Sequence, residues 1–504
     1  MPKRKKSGSN NPLSSARKDV GGLWHRKSGA GYHLFLSYYG NQPIGVVTTE
    51  GDSHQSKSAS TAPQSDGNTA AMGNSRAAKK RRRKKNGSSS ASVDANVIAA
   101  PSTTSSSSQE VDASHPLIQA FNSDSNKYAH LTNFIHALSR PLPLTLRIRK
   151  HESADSSELT QTLSRNFSNF VSPVAYDPTK QIYQSTPGSN LCKFNLGHQS
   201  PELKSIVVDA SMNGTLARQE LGSMLPVLSL EAVGAMKKGS KVLDMCASPG
   251  SKTLQALEIV VSNSDKKRRG RVIANDVHPK RLDSLREAVH RSGVPVELTD
   301  RVTYTNFDAS VFPFPKSKKL FDAIICDVPC SGDGTIRKDP HILPMWSPRT
   351  SNELHGLQLK ILLRAMELIK KGGAVCYSTC SLNPIEDEAV VSAAFREMNS
   401  DDICYQLLDW PEELLPGFTR RPGVDTWNVG FYDANNLEKD DDDFGSLSFY
   451  DSYGDAVEAD VEEAKESFWP HSANNKHSLH RCSRLFPQDQ DTGGFFVALI
   501  KRIK

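Results

Sequence analysis

The sequence has 504 residues, of which 37% are hydrophobic, and its mean hydropathy is -0.49. This length allows two or three domains, and the low apolar content predicts that a sizeable part of the chain is disordered. There is no apolar run of 18 residues, which excludes a membrane-spanning helix. Because no apolar stretch follows the basic amino terminus, we expect no secretory signal and therefore reduced cysteines.

The net charge of +6 is unevenly distributed. Lys3–Lys6 is basic, and so is Lys79–Lys85, a run of seven consecutive Lys and Arg residues that we call the basic heptad. In contrast, Asp440–Asp443 is acidic. These clusters predict a polyanionic partner, and the heptad predicts recognition by the nuclear import machinery. The expected location is the nucleus, including the nucleolus. Two alternatives stay open: the clusters are only solvated charge runs, or the basic, Ser-rich residues 1–18 direct the chain to the mitochondrion.

Residues 1–113 are rich in Ser, Gly, Asn and charge, and they are predicted to be a disordered basic tail. Within them, the aromatic patch Gly31–Gly40 is interpreted as a nascent strand or a binding element. Residues 114–210 are predicted to form a small α+β module that binds RNA, with a strand bearing Arg147 and Arg149. We expect these arginines to contact phosphates, and the alternative is an ordinary edge strand with outward arginines.

Residues 211–404 alternate between helical and strand-like patterns, beginning with a helix predicted over Thr215–Val233. The apolar strand-like runs lie at 241–247, 271–277, 302–308, 321–329 and 372–380. This alternation predicts a doubly wound, Rossmann-like α/β fold whose ligands bind at the carboxyl ends of parallel strands. Residues 405–480 are predicted to be an acidic, loop-like insert, and residues 481–504 to supply a final strand that rejoins the sheet.

The first predicted strand ends in DMCASPGSKT, Asp244–Thr253, a turn that lets backbone amides approach a ligand closely. Its spacing is neither G-x-G-x-x-G nor that of a P-loop, which disfavours nucleoside triphosphate binding. Asp276 ends the second strand, where an acid accepts hydrogen bonds from a ribose diol. Asp308 ends the third strand, placed to reach an adenine amino group. Together these acids suit a nucleoside cofactor, although each alone could be a helix cap.

Two of the predicted strands end in C-x3-C pairs, Cys326/Cys330 and Cys376/Cys380. A four-thiolate zinc site is one interpretation, but the spacing is not that of a zinc ribbon. If the sheet forms as predicted, Cys330 and Cys380 lie over the same crevice as the cofactor turn. Cys380 is then a candidate nucleophile.

The residues after Cys380 suggest how its thiolate could be favoured. Asn383 is predicted to cap the next helix, with Pro384 in its first turn and Glu386 completing a capping box. The positive end of that helix would favour a thiolate, although the acidic side chains there oppose it.

Several motifs of this sequence occur together in one known family. They are RQELGSMLP, DMCASPGSKT, NDV, DVPCSGDGT, YSTCSLNPIEDEAVV and TGGFFVALIKR. With them, residues 115–504 resemble the Nop/Sun (NSun) RNA cytosine-5 methyltransferases, and PLPLTLRI, HGLQLKIL and RCSRLFP resemble the eukaryotic tRNA-methylating branch. The resemblance implies S-adenosylmethionine as cofactor and RNA as partner, tRNA in the first place, with no DNA and no metal.

The resemblance also implies residue roles. Cys380 is the nucleophile that adds to carbon 6 of cytosine, and Cys330 assists release of the methylated RNA. Asp327 holds the cytosine edge, and Lys252 lies near the target base. The cofactor-binding residues are Cys246, Ala247, Ser248, Pro249, Gly250, Ser251, Lys252, Asp276, Asp308 and Asp327. Ser248 and Ser251 stand where the family often has Ala or Gly.

Three alternatives to a tRNA methyltransferase are compatible with parts of the sequence. The substrate could be rRNA or mRNA. The chain could be a catalytically retired RNA-binding protein, which loss of either cysteine or of Asp276 would have favoured. An N- or O-methyltransferase would need neither cysteine. If the tail is disordered, its deletion should weaken RNA binding or nuclear import and preserve catalysis.

Overall fold

The computed structural model describes residues 30–42, 113–149, 156–261, 270–316, 319–400, 402–432, 447–470 and 478–504. Among these residues, no helix has both the length and the apolar character needed to cross a membrane. The basic heptad Lys79–Lys85 and the acidic run Asp440–Asp443 lie outside them.

The centre of the fold is a mixed sheet, in which five parallel strands continue into an antiparallel edge. The parallel strands are β5 (Lys241–Asp244), β6 (Arg271–Asn275), β7 (Val302–Thr305), β8 (Phe321–Asp327) and β9 (Ile369–Thr379). Their spatial order is β7-β6-β5-β8-β9. The antiparallel strands are β10 (Tyr405–Leu407), β11 (Arg421–Pro422), β14 (Ser483–Leu485) and β15 (Phe495–Arg502). Strand β15 pairs with β9, so the predicted final strand does rejoin the sheet.

Helices cover both faces of this sheet, as the near-continuous apolar strands require. They are α7 (Leu221–Ala232), α8 (Ser251–Val260), α9 (Pro279–His290), α11 (Pro348–Leu368) and α12 (Glu388–Met398). Shorter helices in the same part of the chain are α10 (Val296–Thr299), α13 (Tyr453–Glu458) and α14 (Pro487–Gln490). The predicted doubly wound α/β fold is confirmed.

Alternation along the central strands separates Cys326 from Cys376. Cys326 packs into the core on one face of the sheet, and Cys376 into the core on the other. The two residues lie on neighbouring strands, offset by one position in register, so their side chains point in opposite directions. Four sulfurs arranged in this way cannot surround one zinc ion.

A second, smaller sheet precedes the central one, in the order β2-β3-β1-β4. Its strands are β1 (Thr145–Ile148), β2 (Val171–Pro173), β3 (Ile182–Ser185) and β4 (Leu216–Arg218). The accompanying helices are α2 (Pro116–Ser123), α3 (Thr132–Leu138), α4 (Ser157–Asn166), α5 (Leu196–Gln199) and α6 (Pro201–Met212). The helix predicted over Thr215–Val233 is therefore wrong at its start, because pairing of β4 with β1 outweighs the local helical pattern.

Arg147 of β1 and Arg149, which directly follows this strand, point inward rather than toward a nucleic acid. Arg147 donates hydrogen bonds to both carboxylate oxygens of Glu258, at 2.6 and 2.9 Å. Arg149 lies 3.7 Å from the same carboxylate, and both arginines are buried. The prediction that they contact phosphates is wrong, because α8 supplies a buried counter-ion that the local sequence does not reveal.

Two segments predicted to lack structure are ordered. Ala30–Gly40 forms helix α1, whose Phe35, Tyr38 and Tyr39 are fully buried in an aromatic cluster with Trp346. The prediction of a disordered tail with a nascent strand is thus wrong for residues 30–42, because these side chains find a tertiary apolar surface. The insert is also not simply a loop, since β12 (Val429–Tyr432) pairs with β13 (Leu447–Tyr450).

Replacing Arg147 with alanine should destabilise the fold and leave phosphate contacts unchanged. Removing one member of a buried ion pair costs about 3–5 kcal/mol, and we expect urea denaturation to show a loss of that size. Arg291→Ala is the control, since its ion pair with Glu287 is 73% and 71% exposed, and it should change stability by less than about 0.5 kcal/mol. A weaker salt dependence of RNA binding in Arg147→Ala would instead restore the phosphate-contact interpretation.

Candidate active site

The loop after β8, which carries Cys330, meets the loop after β9, which carries Cys380. We call them the first and the second cysteine loop. Cys330 follows β8, Cys380 follows β9, and their sulfur atoms are 3.2 Å apart. Both side chains are partly exposed, in contrast to Cys326 and Cys376. The structure therefore brings together the two cysteines that were expected to share a crevice.

The two sulfurs are not equivalent. The hydrogen bond with Cys380 and burial raise the pKa of the Cys330 thiol well above its usual range, and the nearby Glu386 and Asp327 add to this effect. Cys330 therefore keeps its proton at neutral pH. Either sulfur can be the hydrogen-bond donor in the contact between Cys330 and Cys380.

A lysine–aspartate pair lies beside the thiols. Lys252 Nζ donates to Asp327 Oδ2 at 2.7 Å and to Ser223 Oγ at 3.0 Å. The other oxygen of Asp327 accepts from Ser378 Oγ at 2.6 Å. Burial lowers the pKa of Lys252, but attraction to Asp327, Asp244 and Cys380 outweighs it, and the net shift is upward. Lys252 is thus an ammonium ion that faces the nucleophile candidate.

Glu386 fastens the two cysteine loops to each other. Its carboxylate accepts from Ser331 N and Oγ in the first loop and from Ser381 Oγ in the second. Ser351 and Gln358 of α11 donate to the same carboxylate, each at 2.8 Å. Five donors converge on one fully buried side chain, so the positions of both loops depend on it.

This network replaces the capping box predicted after Cys380. Helix α12 begins at Glu388, and Asp387 rather than Asn383 stands at its cap position. Asn383 Oδ1 instead accepts from Ile385 N within the preceding turn, at 3.0 Å. The predicted capping box is therefore wrong, because the helix begins after Asp387 and not after Asn383.

The cofactor turn has the predicted strand–turn–helix form between β5 and α8. Gly250 has φ +107°, and a Cβ there would lie 2.4 Å from Leu285 Cδ1, so only glycine fits. Thr253 Oγ1 donates to Asp244 Oδ2 at 2.6 Å. Burial raises the pKa of Asp244 to about 7. Of the remaining turn residues, Ser248 exchanges hydrogen bonds with Arg281 of α9.

The two acids after β6 and β7 have different surroundings. Asp276 is buried, and its Oδ1 accepts from His278 N at 2.9 Å. Its Oδ2 is buried without a hydrogen-bond donor among the described residues, 3.4 Å from the Arg281 guanidinium. Asp308 is exposed, and one of its oxygens caps the next turn at Ser310, as the helix-cap alternative has it. Asp276 thus has a carboxylate oxygen, Oδ2, that can accept a hydrogen bond from a ligand.

Several polar residues of the site had no predicted role. Ser223 and Gln358 lie within the motifs RQELGSMLP and HGLQLKIL, and Ser378 lies within YSTCS. Their partners are Lys252, Glu386 and Asp327, respectively. The sequence indicated these residues only in one way: each is a polar residue among apolar neighbours within a motif.

The sheet is doubly wound and Rossmann-like, with a thiol pair and a cofactor-type turn at the carboxyl ends of its strands. Residues 232–426 match the family described as 16S rRNA methyltransferase RsmB/F. This match supports the resemblance to the NSun (Nop/Sun) family.

Two curated relatives have similar sequences. The multisite-specific tRNA:(cytosine-C(5))-methyltransferase trm4b of Schizosaccharomyces pombe is 34% identical over 409 residues, covering 73% of this chain and 56% of the relative. The Saccharomyces cerevisiae enzyme of the same description is 35% identical over 385 residues, covering 72% and 51%. The chain thus spans about half the length of the curated relatives it matches.

One solved structure, a methyltransferase homolog protein from Pyrococcus horikoshii, is 22% identical with a TM-score of 0.48. The match covers 73% of this chain and 89% of that chain.

Glu386→Gln should loosen both cysteine loops. The side-chain NH2 group of glutamine would face the hydroxyl and N–H groups that now donate to the carboxylate, and two donors cannot form a hydrogen bond. Leaving buried donors unpaired costs about 1–3 kcal/mol, and a urea denaturation curve should show a loss of that size. The exposed Glu466 of the ion pair with Arg396 provides the control, Glu466→Gln, which should shift stability by less than about 0.5 kcal/mol. Identical curves for the two variants would show that Glu386 does not fix the loops.

Proposed function

We propose that this chain is an S-adenosylmethionine-dependent RNA (cytosine-5-)-methyltransferase that acts on tRNA through a covalent intermediate. The observation that supports it most is the contact between the Cys330 and Cys380 sulfurs beside the Lys252–Asp327 pair. The family match of residues 232–426 supports methylation of RNA. The tRNA (cytosine-C(5)) activity named for the two fungal relatives supports tRNA as the substrate.

The residues of the cofactor turn fit S-adenosylmethionine. The spare acceptor, Asp276 Oδ2, is placed at the end of β6, where a ribose hydroxyl group would supply the missing donor. Gly250 lets the turn bend sharply before α8, and Asp308 keeps one oxygen beyond the one that caps Ser310. When bound, S-adenosylmethionine supplies an electrophilic methyl group.

Carbon 5 of cytosine is a weak nucleophile, and Cys380 overcomes this. Its sulfur forms a bond to carbon 6, which moves the π electrons of the C5–C6 bond to carbon 5. Once carbon 5 is methylated, a water molecule accepts its proton, and the electron pair of that C–H bond restores the C5–C6 double bond. The S–C6 bond breaks at the same time, and its electron pair returns to the Cys380 sulfur. Cys330 lies beside that bond and holds a proton in this exchange, because its thiol pKa is raised.

Asp327 and Lys252 orient the base. The Asp327 carboxylate accepts hydrogen bonds from the donor edge of cytosine, and Lys252 and Ser378 hold that carboxylate from either side. Because both thiols are only partly exposed, the target base must leave its stack to reach them, which favours cytosines in loops or single strands.

The Cys330→Ala protein should accumulate a covalent complex with tRNA in the presence of S-adenosylmethionine, because the S–C6 bond then persists. Denaturing electrophoresis should show slow-migrating RNA that disappears in the Cys330→Ala/Cys380→Ala double variant. Cys404→Ala, a partly exposed cysteine outside these loops, is the matched control and should give no adduct. If the wild-type protein methylates tRNA and Cys330→Ala forms no adduct, the role given to Cys330 is wrong.

We also infer nuclear import from the Lys79–Lys85 heptad, on the basis of its charge alone. Replacing the seven residues by alanine in a fluorescent fusion of the full chain should move the signal from nucleus to cytoplasm. The same change at Lys3–Lys6 separates the two basic clusters. A nuclear signal that survives the loss of the heptad contradicts the inference.

A further inference from the structure

Helix α1 lies against both cysteine loops, although it is far from them in sequence. The Tyr39 hydroxyl donates a hydrogen bond to Asp333 Oδ2, and Asp333 stands three residues after Cys330. The side chains of Tyr39 and Asp333 are fully buried. The proposed mechanism uses neither of them.

Asp333 connects the first cysteine loop to the second. Its Oδ1 accepts from Leu382 N at 2.8 Å, two residues after Cys380. The neighbouring Gly334 N donates to the Cys380 carbonyl at 3.0 Å. Any movement of the Asp333 carboxylate is therefore transmitted to the backbone on both sides of the thiol pair.

Tyr38 makes a parallel connection to the second loop. Its hydroxyl donates to Asn383 Oδ1 at 2.7 Å, and the same oxygen accepts from Ile385 N. Two consecutive tyrosines of one helix thus each bond to a side chain that fixes loop backbone beside a reactive cysteine. Glu386, which lies just before α12, accepts hydrogen bonds both from these loops and from α11.

Packing holds the tyrosine rings in place. Trp346 contacts both rings, with centroid separations of 5.3 Å to Tyr38 and 5.6 Å to Tyr39. At the end of the helix, Gln42 Nε2 donates to the Asn428 carbonyl at 2.8 Å. The helix is therefore anchored along its length, and its hydroxyl groups have fixed positions.

We propose that Tyr39, assisted by Tyr38, is a positioning residue that sets the spacing of Cys330 and Cys380. The inference rests on the proposed function for its effect on turnover, but the spacing itself is a property of the free protein. The proposal gives residues 30–42 an effect on catalysis, although they lie in a part of the chain with the composition of a disordered tail. Accordingly, removal of residues 30–42 should impair catalysis, contrary to the expectation for a disordered segment.

The test compares Tyr39→Phe with Tyr405→Phe in the full chain. Both changes remove one buried hydroxyl, and that of Tyr405 donates to the Met366 carbonyl, away from the cysteine loops. The first readout is capture of phenylarsine oxide, which bridges two thiols only when they are close together. Loss of capture in Cys330→Ala assigns the binding to this pair.

We expect Tyr39→Phe to weaken phenylarsine oxide binding about tenfold and to lower kcat for tRNA methylation by a similar factor, as for one hydrogen bond. KM for S-adenosylmethionine should stay within about twofold, because the cofactor turn is not touched. Tyr405→Phe should match the wild-type protein in all three quantities. If the Tyr39 hydroxyl only stabilised the fold, both variants would lose stability. Tyr39→Phe would then not differ from Tyr405→Phe in arsenical binding or in kcat.

The outcomes separate this inference from the proposed function. If Tyr39→Phe binds the arsenical and turns over tRNA as Tyr405→Phe does, the positioning role is overturned while the methyltransferase stands. If the wild-type protein methylates no RNA and Tyr39→Phe still loses arsenical binding, the spacing role holds and the proposed function fails.

Discussion

The active-site region depends on one buried carboxylate. Glu386 is fully buried and accepts five hydrogen bonds, from two cysteine loops and from helix α11. A carboxylate in such a place is tolerated only while its donors remain aligned, since an unpaired buried charge is very costly. The loops consequently have one arrangement in which the charge is satisfied. That arrangement is also the one that brings the two sulfurs into contact.

Charge near the thiols is distributed unequally as a result. Glu386 lies on the side of Cys330 and contributes to its raised pKa, whereas Lys252 faces Cys380. The Cys330 thiol is therefore held in its protonated form. The Lys252–Asp327 pair lies beside the same two sulfurs and places a positive and a negative charge there.

The sequence predicted the parts of this structure that depend on local pattern. Runs of apolar residues indicated the central strands, and because parallel strands end at one edge, the meeting of Cys330 and Cys380 followed from their positions after β8 and β9. The predicted turn at Gly250 also formed, since its small residues permit few other conformations.

The parts that could not be predicted depend on distant partners. Alternation in β1 shows that Arg147 and its neighbours face different sides, but Glu258, 111 residues away, decides that the arginine is buried. The pattern around Glu386 matches a capping box, yet tertiary donors take the carboxylate instead. The aromatic patch of α1 is surrounded by polar sequence, and only Trp346 and Asp333 reveal why it folds.

Strand β15 has a consequence for synthesis of the protein. The strand bearing the TCS motif pairs on one side with β8 and on the other with β15, and Phe496 lies opposite Thr379. While a ribosome is still translating the residues between these strands, β9 has an open edge flanked by apolar side chains. Such an edge is a template for pairing with other chains. The nascent polypeptide must therefore be shielded, by chaperones or by the ribosome itself, until the closing strand emerges.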